Sequence, residues 1–146
     1  HNKGYTNIKW FVVGYGGYEK ELRTLIRQNQ LDNHFLLLGK QKNPYPFIKA
    51  CDLYVQPSRY EGKAVTVTEA KILQKPILIT NYPTAKSQIQ HGVDGFICEF
   101  DAEILAKEIE HLYKNPTLRV NLTRNLSKTN FSNQSELQTL YQFLSS

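Results

Sequence analysis

Apolar residues along the chain fall into short unbroken runs, and between them they recur at helical spacing. The runs are residues 9–13 (KWFVV), 35–38 (FLLL), 53–55 (LYV), 77–80 (ILIT) and 96–98 (FIC). Unbroken runs of this length predict strands covered on both faces, as in a parallel sheet. Over residues 18–30, Leu22, Leu25 and Ile26 mark one helical face. Pro44 and Pro46 suit a helix start, and Phe47, Ile48 and Ala50 cover a short helix. Residues 64–73 can wind into another, stopped by Lys75-Pro76. Thr84 is expected to cap a helix of about two turns reaching Gln90. From Asp101 the pattern is wholly helical. Asp101 caps, and Leu105, Ile109, Leu112 and Tyr113 share a face until Asn115-Pro116. Leu118, Leu122 and Leu126 mark a second helix. Leu137, Leu140, Tyr141 and Leu144 mark a third, starting at Ser132-Asn133.

Five short strands alternating with helices predict an α/β fold. The expected form is a doubly wound, Rossmann-like parallel sheet of about five strands. Helices should cover both faces, with a helical segment at the C-terminus. Ligands on such sheets bind at the carboxyl ends of the strands. That edge collects residues 14–17, 39–43, 57–62 and 81–84. Among these, residues 57–62 form a loop between a strand and the helix beginning near Ala64. Glu61 and Glu69 flank that helix start. The first N–H groups of a helix lack backbone partners and suit an anion. Carboxylates accept hydrogen bonds from sugar hydroxyls. The stretch is therefore suited to a phosphorylated, hydroxyl-rich ligand. The Gly14-Tyr15-Gly16-Gly17 turn lacks the third glycine of the dinucleotide fingerprint; it reads as a plain turn or as a ligand loop.

Composition changes this picture in three ways. A length of 146 residues allows one domain around one core. The sequence has no methionine, no visible signal peptide and no apolar run approaching the roughly 20 residues of a membrane span. It is expected to be a processed product or part of a longer chain. Cys51 and Cys98 stand far apart beside apolar strands, as buried reduced thiols do; their spacing suits no metal site. The net charge of +5 is concentrated in the first 50 residues, which hold eight Lys/Arg against three acids. That excess reads as a solvated basic face, a polyphosphate site or contact with an anionic membrane surface. Dispersed basic residues without a stacking aromatic module argue against nucleic acid. His34, His91 and His111 show no ligand spacing, no Ser-His-Asp set or Asp-x-Asp cluster is visible, and Arg59 and Tyr60 read as loop-shaping residues.

The order P-S-R-Y-E-G, then T-E-A, K-P-I and H-G-V-D-G-F, resembles the C-terminal half of a GT-B glycosyltransferase of the retaining family 4 (group 1) type. The signature is E-x7-E, met by Glu61 and Glu69, and the likeness covers nearly the whole chain. It implies a single donor-binding domain over residues 1–146, without its first strand and loop and without the N-terminal acceptor domain. It also implies a nucleotide-sugar donor, such as a UDP-sugar, a hexosyl unit transferred with retention, and a glycan or lipid-linked acceptor. Cell-envelope polysaccharide assembly in the cytoplasm, at the inner face of the membrane, is the implied setting. No metal or other cofactor is implied. Residue by residue, Glu61 takes the catalytic, sugar-contacting role and Glu69 the ribose. Gly62, Lys63, Ala64 and Val65 hold the diphosphate or sugar. Gly14 and Gly16 lie beside the phosphates, and Lys40 and Gln41 beside the base. Two departures stand out. The usual Gly-Phe-Gly is Gly62-Lys63-Ala64 here, with Lys63 either a cation for the donor or a surface lysine. The family's arginine–lysine pair would precede His1, so the fragment alone is expected to be inactive. A non-catalytic sugar-nucleotide-binding module and a GT-B-like epimerase are the rival readings.

Overall fold

A computed structural model describes residues 4–129; the helix expected from Ser132 lies outside the described residues. The chain divides into two units, the first ending at Pro44 and the second starting at Tyr45.

The first unit holds β1 (Trp10–Val13), α1 (Glu19–Gln28) and β2 (Phe35–Gly39). β1 and β2 are parallel, with Trp10 beside Phe35 and an irregularity between Val12 and Val13. The Trp10 and Phe35 rings stack with centroids 5.6 Å apart. Phe11 is 53% exposed, which departs from the expectation of two covered faces. A two-stranded sheet with one helix can bury only one face against it. Gly39 lies at φ +66°, a left-handed conformation that disfavours side chains, and its carbonyl accepts from Gly14 N–H at 2.9 Å.

The second unit holds α2 (Tyr45–Ala50), β3 (Tyr54–Gln56), α3 (Val65–Ile72), β4 (Ile77–Thr80), α4 (Ala85–Gln88), β5 (Phe96–Cys98), α5 (Ala102–Lys114) and α6 (Pro116–Ser127). Its sheet runs β3-β4-β5, all parallel. β4 is central, and all four of its residues are buried. Alternation sends Ile77 and Ile79 to a core with Val67, Ala70, Tyr82 and Ile89. Leu78 faces the opposite way, with Cys98, Leu112 and Leu122. Each buried Ile, Leu or Val among them is stabilised by about 1.5–3 kcal/mol on leaving water. The fold is thus α/β with parallel strands, in hydrogen-bonded sets of two and three.

Two expectations shift at β3 and α4. The third strand runs from Tyr54 to Gln56 rather than ending at Val55, because Tyr54 opens the ladder opposite Ile77 and Gln56 still pairs with Ile79. α4 has only four residues. Ile89 turns extended, and the Gln90 N–H goes to the Asp94 side chain at 2.8 Å. Thr84 precedes that helix without capping it; its backbone is not extended (φ −96°, ψ 2°) and its hydroxyl donates elsewhere. Asp101 does cap α5, accepting from Glu103 and Ile104 N–H groups at 3.0 and 2.9 Å. Pro116 occupies the first turn of α6, where its missing N–H costs nothing.

Candidate functional site

In the second unit, β3 delivers Gln56, the loop carries Ser58 and Glu61, and α3 begins at Val65. Gln56 is a polar residue with only 9% exposure. Its Nε2 donates to Glu61 Oε1 at 3.0 Å, and Ser58 Oγ donates to the same oxygen at 2.8 Å. Gln56 Oε1 in turn accepts from the Tyr54 and Thr66 hydroxyls, at 2.7 and 2.9 Å. Glu61 is therefore gripped through one oxygen.

The loop backbone is pinned from β4 and the segment after it. Buried Thr80 donates to the Ser58 carbonyl at 2.5 Å. Thr84 donates to the Gly62 carbonyl at 2.6 Å, with the Glu61 carbonyl 3.2 Å away. Gln88 closes on Ala64 from both sides. Its Oε1 accepts the Ala64 N–H at 3.3 Å and its Nε2 donates to the Ala64 carbonyl at 3.0 Å. The Tyr82 hydroxyl donates to the same Oε1 at 2.9 Å. The Ala64 amide is thus committed to Gln88, and of the residues expected to offer backbone amides, Gly62, Lys63 and Val65 are exposed. Ala64 adopts an ordinary extended backbone (φ −68°, ψ 105°) that alanine accepts without strain, and it packs into the core.

Glu69 sits on α3, where its Oε1 accepts from the Tyr45 hydroxyl at 3.1 Å. That hydrogen bond and the charge behind it raise the Tyr45 phenol. Burial raises Tyr54 first, and the charges of Glu69 and Glu61 add to it. The two glutamates thus share Tyr54 as a neighbour. Burial, then Glu61, pushes Tyr82 up to about 12. Arg59 stacks its guanidinium 5.0 Å from the Phe100 ring centroid, a structural contact.

In the first unit, Gly14, Tyr15, Gly16 and Gly39 line a cleft of about 310 Å³ at the carboxyl ends of β1 and β2, with Val13 and Leu37. Lys40 Nζ lies 5.4 Å from the Tyr15 ring centroid. Gln41 Nε2 folds back onto the Leu38 carbonyl at 2.7 Å. Gly14, Gly16, Lys40 and Gln41 are brought together within this unit; Glu61, Gly62, Lys63, Ala64, Val65 and Glu69 are brought together within the other.

Sequence reasoning missed Gln56, Gln88 and Tyr45, and gave Thr84 a cap's role rather than its bond to Gly62. Gln56 left one signal, a polar residue two positions beyond Tyr54 at the end of an apolar run. Gln88 left none.

Of the described histidines, His91 and His111 both pack on the Phe96 ring, with centroids 4.8 and 5.9 Å away. His34 Nδ1 lies 3.2 Å from the Ile8 carbonyl, and His91 Nδ1 accepts the Ile97 N–H at 3.0 Å. No group of three or more His, Cys, Asp and Glu is placed to hold a metal among the described residues. Among them also, no helix is long and apolar enough to cross a membrane.

Residues 2–129 match the family described as "Glycosyl transferases group 1". A glycosyltransferase of Methanocaldococcus jannaschii, MJ1059, is 38% identical over 58% of this chain and 21% of its own length. The capsular polysaccharide biosynthesis glycosyltransferase CapM of Staphylococcus aureus is 29% identical over 96% of this chain and 39% of its own. The chain therefore spans between a fifth and two-fifths of these relatives. The crystal structure of Anabaena Alr3699/HepE in complex with UDP superposes with a TM-score of 0.85 at 24% identity, over 94% of this chain and 41% of that one. That likeness concerns the fold.

Proposed function

The chain belongs to the glycosyl transferases group 1 family, and from that premise we propose that it is the donor-binding part of a retaining hexosyltransferase. The donor is a nucleotide-sugar, a UDP-sugar first among the candidates, since a protein of this fold was crystallised with UDP. The acceptor is a glycan or a lipid-linked glycan, and the setting is cell-envelope polysaccharide assembly, as the name of CapM suggests for that relative. The reading includes a further N-terminal domain for the acceptor and a cytoplasmic location at the membrane's inner face.

The observation that carries this reading is the hold on Glu61. A carboxylate fixed through Oε1 by Gln56 and Ser58 has its other oxygen to offer, and sugar hydroxyls donate well to carboxylates. In this reading Glu61 receives donor-sugar hydroxyls and stabilises the cation-like sugar as the bond to the nucleoside diphosphate breaks. Glu69, on α3 with one oxygen on Tyr45, receives the ribose. The N–H groups of the first turn of α3 face the departing diphosphate, with Gly62, Lys63 and Val65 beside it. Gly14 and Gly16 serve the phosphates, and Lys40 and Gln41 the base. The chemistry proposed uses no metal or other cofactor.

Glu61→Ala and Glu69→Ala in the full protein test this. Transfer should fall at least about a hundredfold for Glu61→Ala, the scale of losing a preorganised electrostatic contact, with the melting temperature little changed. Glu69→Ala should weaken nucleotide binding. Unaffected transfer in both would overturn the roles given to the two glutamates, and a wild type that binds the nucleotide-sugar without transferring it would be a non-catalytic binding module. Release of an altered free nucleotide-sugar without any acceptor would favour an epimerase.

A further inference from the structure

Glu61 does not reach its place alone. We infer that Gln56 is its positioning residue, fixing one oxygen of the Glu61 carboxylate so that the other faces the donor sugar. This rests on the reading of Glu61 given above.

The geometry allows one orientation of the Gln56 side chain. A carboxylate only accepts, so the amide NH2 must face Glu61. That turns Oε1 toward Tyr54 and Thr66, whose hydroxyls donate to it at 2.7 and 2.9 Å. A reversed amide would set its oxygen against Glu61 Oε1, 3.0 Å away. Three elements therefore converge on one amide: β3 through Tyr54, α3 through Thr66 and the loop through Glu61. The side chain is nearly enclosed, and a buried polar group held by several partners is rigid. Tyr54 and Gln56 reach the same side because they stand two apart on a strand.

The choice of residue has a chemical meaning. A lysine or arginine here would orient Glu61 and also neutralise it. A neutral amide orients it and leaves its full negative charge for a sugar that becomes cation-like. Ser58, the second donor to the same oxygen, is neutral as well. Among the groups that are raised, the phenols of Tyr54 and Tyr82 both feel Glu61, with Glu69 acting on Tyr54 too.

Gln56→Glu is the informative variant, because its carboxylate can still accept from Tyr54 and Thr66 and only the donation to Glu61 is lost. The full protein, wild type and variant, is titrated with UDP and GDP, and then with UDP-glucose, UDP-N-acetylglucosamine and GDP-mannose. The sugar's contribution is the ratio of the two affinities for one nucleotide. It should fall about tenfold or more in Gln56→Glu, the scale of a hydrogen bond to a charged group; any effect of the added charge on the nucleotide itself is common to both ligands and cancels in the ratio. The deficit should deepen as pH rises from about 5 to about 8, because two facing carboxylates resist ionising together. Ser58→Ala, which leaves the buried amide network untouched, should shift the ratio the same way by a smaller factor. If the nucleotide binds and the ratio is equal in wild type and both variants at every pH, Gln56 has no positioning role. A wild type that binds a nucleotide and its sugar alike also overturns the inference. If neither UDP nor GDP binds wild type, the donor-site reading itself fails.

Discussion

The two units prepare their candidate residues in opposite ways. In the second unit, the loop from Pro57 to Ala64 is held by side chains: Gln56 and Ser58 on Glu61, Thr84 on Gly62 and Gln88 on Ala64. Gln56, Thr80 and Gln88 are all buried. In the first unit the candidates are backbone turns, an exposed lysine and a half-buried glutamine. Gly14 and Gly39 set the turns, Lys40 rests over Tyr15, and Gln41 is folded onto its own backbone. The difference follows from the amount of core. The second unit has a strand buried on both faces, so polar groups placed there must be paired, and the pairing fixes geometry. The first unit has a two-stranded sheet with Ile26 as its one buried hydrophobic among the described residues. It shapes a cleft by glycine conformation instead.

The largest expected effect tests the side-chain half. Gln88→Leu removes both bonds to Ala64 and leaves the Tyr82 hydroxyl without its acceptor inside the core. Buried groups left unsatisfied cost about 1–3 kcal/mol, so urea unfolding should show a loss of about 3 kcal/mol for the set. A loss under 1 kcal/mol would mean the Ala64 clamp is replaceable and the contrast between the units weak.

Gly39→Ala probes the backbone half and should cost less, about 1–2 kcal/mol, because only the left-handed φ of +66° resists the new Cβ, and no atom stands within 4 Å of it. The same unfolding assay reports it. A value above that for Gln88→Leu would reverse the comparison.

The third effect is read from pH. Burial first, then the charges of Glu108 and Glu99, pushes the Cys98 thiol up to about 11 from 9.0. As pH rises, the unfolded chain loses this proton before the folded one. The stability it contributes is complete below about pH 9 and drains away as pH rises through about 11. Unfolding followed from pH 7 to 11 should show this decline in wild type and a shallower one in Cys98→Ala. Equal slopes would show that the second core does not shield the thiol.

Much of the fold was legible because it rests on local rules. β4 and β5 fall on their apolar runs, Asp101 caps α5 and Pro116 opens α6, since period, capping and ring geometry act within a few residues. The E-x7-E spacing likewise survives as two glutamates on either side of the α3 start. Expectations failed where a distant partner competed. Thr84 is a good cap by type, yet its hydroxyl goes to Gly62, 22 residues away. α4 is cut short when Asp94 takes the Gln90 N–H. Tyr45 meets Glu69 across 24 positions, and Gln88 meets Ala64 across the same separation.

The sequence by itself determined the strand–helix alternation, the family likeness and the spacing of Glu61 and Glu69 about a helix start, because each is a matter of residue type and spacing along the chain. Only the tertiary structure decided that Glu61 is held through one oxygen by a buried amide, and that the Ala64 amide is already spent. A hydrogen bond needs its partners within about 3 Å at a suitable angle, and no periodicity in the chain encodes which distant side chain folding will bring to that distance.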